Sequence, residues 1–132
     1  MTNREAGEEL VFAARRLFDR DVQNAWRDQD YNMVVRRAQE VVELALKGAL
    51  RILGVDYPKE HDVGLLFAQQ ARAKIPAVDQ AALQQIGLIS RRLVQTRAPS
   101  FYLERRYGEG EARQALADAR FVLEAVERMM RS

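Results

Sequence analysis

Residues 31–54, YNMVVRRAQEVVELALKGALRILG, decide the fold. Wound at about 100° per residue, the stretch separates its charges from its apolar side chains. Arg36, Arg37, Glu40, Glu43, Lys47 and Arg51 share an arc of roughly 120°. Val34, Val35, Ala38, Val41, Val42, Ala45, Leu46, Ala49, Leu50, Ile52 and Leu53 cover nearly all the rest. A helix apolar over most of its circumference is buried on more than one side. It is the centre of a helical bundle, or lies in the bundle and at a subunit interface too, and the two are compatible. Such a pattern specifies burial and no reaction.

Outward from this stretch the signals are helical in both directions. Thr2 followed by Glu5 has the spacing of a capping box, and Leu10, Ala14, Leu17, Phe18, Val22 and Ala25 recur at helical intervals. This predicts a first helix over about residues 3–27, broken by Asp28, Gln29 and Asp30. Gly54 is placed to end the second helix as a left-handed cap. Residues 55–61, with Pro58, read as a loop. Asp62 can cap a short third helix to about Ile75, where Pro76 stops it. A fourth helix runs to about Thr96, carrying Leu83, Ile86, Ile89, Leu93 and Val94. Pro99, Gly108 and Gly110 bracket an irregular segment, and Leu116, Ala119, Leu123, Val126 and Met130 predict a last helix from about Glu111. No strand pattern appears. The expected architecture is all-α, an up-and-down antiparallel bundle of four main helices plus a short one, in a single domain over residues 1–132.

At 132 residues, 48% hydrophobic and 30% charged, the chain can bury a real core. The absence of cysteine excludes disulfides and thiolate metal sites and favours an intracellular protein. The start MTNREAGEEL lacks the basic onset and apolar run of a secretory signal, and no apolar segment can span a bilayer. A cytoplasmic protein without membrane attachment is expected. A net charge of +2 does not by itself argue for nucleic acid.

Arg37-Ala38-Gln39-Glu40, leading into Glu43, Lys47 and Leu50, then Gly54, Pro58 and His61-Asp62, resembles the second helix and following loop of HEPN domains. Glu104-Arg105-Arg106-Tyr107-Gly108 resembles the Arg-Tyr element before the last helix of that family. These features lie in order across most of the chain. The resemblance implies a helical bundle, usually homodimeric, often encoded beside a small nucleotidyltransferase. Some members are ribonucleases, commonly toxins held in check by that partner. Others are nucleotide-binding or non-catalytic.

Catalytic members carry an arginine followed within one or two helical turns by a histidine, and this chain departs from that pattern. His61 is the only histidine, and the nearest upstream arginine is Arg51, ten positions earlier. Arg97 is followed at that spacing by Tyr102, and Arg105 by Gly110, Glu111 and Ala112. Metal-independent RNA cleavage needs a group that takes a proton from the 2′-hydroxyl near neutral pH, which suits histidine. Tyrosine, with an ordinary pKa of about 10, is a poor replacement.

His61 has two readings. In one it hydrogen-bonds backbone or packs under its loop. In the other the loop folds back so that His61 meets an arginine, Arg97 or Arg105 or one from a second subunit, and rebuilds an acid/base pair without the linear motif. A lone histidine at no ligand spacing argues against a metal. Glu43 and Lys47, four residues apart in the favourable order, form an ordinary surface ion pair, or face the dimer cleft and orient its arginines.

Residues 91–107 carry the best candidate binding surface. Arg91, Arg92, Arg97, Arg105 and Arg106 alternate with Phe101, Tyr102 and Tyr107, and Glu104 is the only acid in the span. Arginine grips phosphate through paired hydrogen bonds and an aromatic face stacks a base, so Arg97, Tyr102, Arg105, Arg106 and Tyr107 suit a nucleotide or single-stranded RNA. The competing reading is a cationic helix end over core aromatics. The sequence therefore favours a homodimeric binding and interaction module, partner of a nucleotidyltransferase in a toxin–antitoxin-like pair, with no cofactor. The alternative is a metal-independent endoribonuclease whose arginine and histidine meet only in space.

Overall fold

The capping signals at Thr2 and Gly54 are used as read. In the computed structural model, which describes residues 1–131, Thr2 Oγ1 accepts a hydrogen bond from Glu5 N at 3.0 Å and opens α1 (Asn3–Arg16). The chain continues through a π-helical turn (Leu17–Val22) into α2 (Gln23–Arg27). The first helix thus spans the predicted residues, with a widened turn inside it. Spacing explains the turn. In an α-helix residue i+4 runs ahead of residue i by about 40°. Ala14, Phe18 and Val22 would drift off one face, and the wider turn takes up the drift so that all three are buried.

Asp30 Oδ1 accepts from Met33 N and starts α3 (Tyr31–Ile52). Its end is a Schellman motif: Gly54 sits at φ 79°, Gly54 N donates to Arg51 O, and Val55 N donates to Leu50 O. α3 packs against every other helix described below and above, most extensively α1 and the last helix of the chain. No residue from Tyr31 to Leu53 is exposed. Val34, Val35, Ala38, Val41, Val42, Ala45, Leu46, Ala49 and Leu50 are all buried, and each such leucine contributes roughly 1.5–3 kcal/mol. Most of the wide apolar circumference is consumed within one chain. α3 is the bundle's centre, and its apolar positions left partly buried are Met33, Leu44, Ile52 and Leu53.

α3 meets α1 at close range. A Cβ on Gly7 would lie 2.5 Å from Gly48 O, and one on Gly48 would lie 2.7 Å from Gly7 O. The two glycines allow the backbones to touch.

Asp62, expected as the N-cap of the next helix, instead precedes the cap by one residue. Val63 is the N-cap of α4 (Gly64–Lys74), and Asp62 Oδ1 accepts from Gly64 N at 3.2 Å and from Ser90 Oγ at 2.7 Å, tying α4 to the next helix. That helix, α5 (Gln80–Val94), is capped by Asp79 Oδ1 on Ala82 N.

The expected irregular segment around Pro99 holds a further short helix, α6 (Arg97–Phe101). Proline is tolerated there because first-turn N–H groups have no intrahelical acceptor to lose. α7 (Glu109–Arg131) begins two residues before its expected start, and Gly110 lies inside it. Asn32 of α3 holds the connection: its Nδ2 donates to Arg105 O and Ser100 O, and its Oδ1 accepts from Tyr107 N. Among the described residues there is no strand, and the architecture is a helical bundle.

Candidate functional site

Gln39, Glu43 and Lys47 stand one turn apart along α3. Glu43 collects three donors: Gln39 Nε2 at 2.9 Å, Lys47 Nζ at 2.9 Å, and His61 Nδ1 at 3.0 Å from Oε1. Burial works to raise the Glu43 pKa, but the bonds from Gln39, Lys47 and His61 together outweigh it and hold the carboxyl below its ordinary value. Lys47 is fixed from its other side by Tyr57, whose ring centroid lies 5.2 Å from Nζ. The loop over residues 55–61 therefore does fold back onto α3, and its end carries His61 to Glu43. Because a carboxylate only accepts, His61 Nδ1 is the donor, and Nε2 is the ring nitrogen left to a ligand.

The same stripe reaches an arginine. Gln39 is 1% exposed, and its Oε1 accepts from Arg97 Nη1 at 3.1 Å. Arg97, Arg36, His61, Val94, Ala98, Phe101 and Tyr102 line one cavity of about 440 Å³. The Arg36 guanidinium stacks over Phe101 at 3.6 Å from the ring centroid, and Phe101 and Tyr102 meet edge to face at 4.8 Å. Arg97 has no carboxylate partner among the described residues, and Arg36 has only a long contact with a carboxylate that is shared with Arg37. Arg97 is anchored on a neutral amide, and Glu40, the acid beside Arg36, lies 3.8 Å from it while pairing with Arg37 at 2.7 Å. None of the residues lining the cavity is acidic. Two cations, an imidazole nitrogen and an exposed tyrosine ring thus converge, an arrangement suited to an anion carrying an aromatic group.

A larger cavity of about 830 Å³ lies between α4 and α5. Its charged lining mixes Glu60 and Asp62 with Arg72 and Arg91, and Arg72 and Asp62 are already bonded to Gln80 and Ser90, so it offers no comparable convergence of one sign of charge.

The five residues expected to form one binding surface are divided. Arg97 and Tyr102 face the cavity beside His61. Arg105 and Tyr107 lie elsewhere, lining a cavity of about 280 Å³ with Arg92, Glu111 and Asp118. Tyr107 is 8% exposed and belongs to the core, with Arg105 stacked over its ring at 4.7 Å, so that ring is no open platform for a base. Arg105 pairs with Glu111, and Arg92 with the buried Asp118 at 2.7 Å. These acids come from α7, outside the window in which Glu104 stands alone. Arg106 is exposed and lines neither cavity. His61 therefore shares a cavity with Arg97 and not with Arg105, and its own hydrogen-bond partner is Glu43.

Arg36, Gln39 and the stacked position of Phe101 were not singled out in the sequence as site residues. Gln39 was within reach, since it precedes Glu43 by one turn on the polar stripe. Arg36 was not, because only the docking of α6 supplies Phe101 and Arg97 opposite it. Among the described residues no three His, Cys, Asp or Glu side chains gather as metal ligands would.

Comparison with curated proteins and with solved structures finds no match. The HEPN domain family matches residues 5–129, nearly the whole chain. With the bundle, the polar stripe of its central helix and the folded-back histidine loop already described, this match shows that the chain belongs to the HEPN domain family and supports a nucleotide- or RNA-related module.

Proposed function

We propose that this HEPN module binds a phosphate-bearing ligand, a nucleotide or single-stranded RNA, in the cavity between α3, α6 and the histidine loop. The observation that carries the reading is the pair of guanidiniums, Arg36 and Arg97, sharing one cavity with His61 and no lining acid. Phosphate neutralises both, and the exposed face of Tyr102 takes the base. Titration of labelled single-stranded RNA and of ATP at two salt concentrations tests it. Arg97→Ala weakens binding and lowers the salt slope by about one; Tyr102→Ala weakens binding with little change in slope; Arg105→Ala and Arg106→Ala do much less. Unchanged affinity and slope in Arg97→Ala and Tyr102→Ala, with the fold intact, would overturn the reading.

A second reading, a metal-independent endoribonuclease, is favoured by one observation: His61 donates through Nδ1 to Glu43 and lies in the same cavity as Arg97. In that reading Nε2 takes the 2′-hydroxyl proton and Arg97 steadies the phosphate. A mixed RNA pool incubated in EDTA decides between the two. Cleavage abolished by His61→Ala establishes the enzyme, whereas binding without cleavage leaves the non-catalytic module.

The remainder of the proposal is a cytoplasmic homodimer paired with a small nucleotidyltransferase in a toxin–antitoxin-like arrangement. Family membership supports the dimer, since HEPN domains commonly dimerise. We place the pairing surface at the exposed run Phe101, Tyr102 and Leu103, where three large apolar side chains are consecutive beside the cavity. No helix among the described residues is long and apolar enough to cross a membrane.

A further inference from the structure

We infer that Gln39 is the positioning residue of this cavity, setting Arg97 and His61 together through one side-chain amide. The inference rests on the binding site proposed above. Gln39 lies on the central helix, 1% exposed, and uses both ends of its amide: Oε1 accepts from Arg97 and Nε2 donates to Glu43, whose Oε1 in turn accepts from His61 Nδ1. A continuous path, Arg97 to Gln39 to Glu43 to His61, joins α6, α3 and the histidine loop.

The chemistry of the amide explains why this residue type stands there. A buried side chain between a guanidinium and a carboxylate has to accept at one end and donate at the other. A carboxylate at position 39 would neutralise Arg97 and repel Glu43. An apolar residue would leave Arg97 without its anchor and remove one of the donors of Glu43. Glutamine does both tasks without charge, so Arg97 is held in place while its positive charge remains uncompensated. That combination matters for anion binding, because an arginine pre-ordered by a neutral partner neither loses side-chain freedom on binding nor has to leave a carboxylate. At the other end, the bond from Gln39 fixes the rotation of the Glu43 carboxylate, and that rotation decides whether His61 offers Nε2 to the cavity.

Gln39→Met keeps length and approximate volume and removes both hydrogen bonds; Gln39→Glu keeps shape and reverses the logic of the charge. Three readouts are needed on the full chain: thermal unfolding, affinity for a labelled single-stranded oligoadenylate, and nitrogen NMR of the His61 ring and the Arg97 guanidinium. In wild type the ring reports the Nδ1–H tautomer and the guanidinium is ordered without any ligand. The expected result is that Gln39→Met stays folded, binds oligoadenylate at least about tenfold more weakly, as loss of a bond to a charged group implies, and loses both NMR signatures. Gln39→Glu binds more weakly still while its Arg97 signal remains ordered. Arg97→Ala probes the path from its other end: it should shift the Gln39 side-chain amide signals even if both Gln39 variants unfold. Unchanged ring and guanidinium signals in Gln39→Met, or unmoved Gln39 amide signals in Arg97→Ala, would overturn the positioning role. If wild type binds neither oligoadenylate nor ATP, the proposed binding function falls, and the NMR signatures still decide the role of Gln39 on their own.

Discussion

Glu43 receives Gln39, Lys47 and His61 at once, and its lowered pKa makes it an acid-sensitive strut of the native bundle. A carboxyl whose folded pKa lies below its unfolded value adds stability that is complete above the unfolded value, about 4.3, and lost as pH falls through the folded one. Glu43→Gln is therefore expected to cost about 1–3 kcal/mol near neutral pH, as loss of hydrogen bonds to a charged acceptor implies. The gap between variant and wild type should narrow steadily as the pH drops below about 4. Urea unfolding followed by circular dichroism between neutral and acid pH checks this, and a pH-independent gap would contradict it. His61 is half exposed and is one donor of three, so His61→Ala should cost less than about 1 kcal/mol while acting on ligand or RNA chemistry. At this scale the spacing of Glu43 and Lys47 allowed their ion pair, because four-residue spacing on a helix is local geometry, while its role stayed open in the sequence. That Glu43 also anchors His61, 18 positions away, was in neither sequence reading of that histidine, since a loop's path depends on what it lands against.

The elements follow the capping chemistry closely. Thr2, Asp30 and Asp79 each accept a backbone N–H at a helix start, and Gly54 ends α3 in the left-handed region that L side chains rarely adopt. Gly54→Ala is expected to cost about 1 kcal/mol through that backbone strain alone, since nothing lies within 4 Å of the added Cβ. Gly7→Ala and Gly48→Ala act differently. Each drives a methyl into the facing backbone, 2.5 Å and 2.7 Å from its carbonyl oxygen, so α1 has to move off α3. A loss of about 1–3 kcal/mol is expected for each, as overpacking typically costs. Denaturant midpoints measure both effects, and a neutral Gly7→Ala would mean that α1 shifts along α3 without loss of packing. Neither glycine announces itself in the sequence, because a helix-interior glycine has the same local signature whether or not another backbone lies above it. The π-helical turn and α6 were also unread. The first arises from the drift of buried positions along a long helix, and the second begins with a proline-containing turn that propensity alone reads as irregular.

For the molecule as a whole, the decisive fact is that α3 packs against every other helix of its own chain and has no exposed residue. Leu46 is 0% exposed in the single protomer, so Leu46→Asp is expected to unfold the bundle, and Leu46→Ala to cost about 2–5 kcal/mol through the cavity it leaves. The exposed Phe101, Tyr102 and Leu103 behave otherwise. Leu103 is 62% exposed, so Leu103→Asp should leave the unfolding midpoint nearly unchanged. If the proposed dimer forms there, the same variant halves the mass seen by light scattering after gel filtration at micromolar concentration. A wild-type protein that is strictly monomeric, or a Leu103→Asp variant that remains dimeric, would remove that surface from the proposal.

What the sequence by itself determined is what helical periodicity and capping can encode. The all-helical class, the order of the helices, most of their ends, the burial of α3 and the spacing of Glu43 and Lys47 all depend on residues within one or two turns of one another. The tertiary structure decided which distant groups meet. Arg97 reaches Gln39 across 58 positions, α7 brings Glu111 and Asp118 to Arg105 and Arg92, and Tyr107 turns into the core, which divides a run that reads as one surface into two. The reason is that a helix's own sequence sets which face is buried. Its rotation and register against a neighbour are set by packing at contacts such as Gly7 on Gly48 and Asp62 on Ser90, and the bonds of Arg97 to Gln39, Asn32 to Ser100 and His61 to Glu43 bring α6 and the histidine loop to α3 around one cavity.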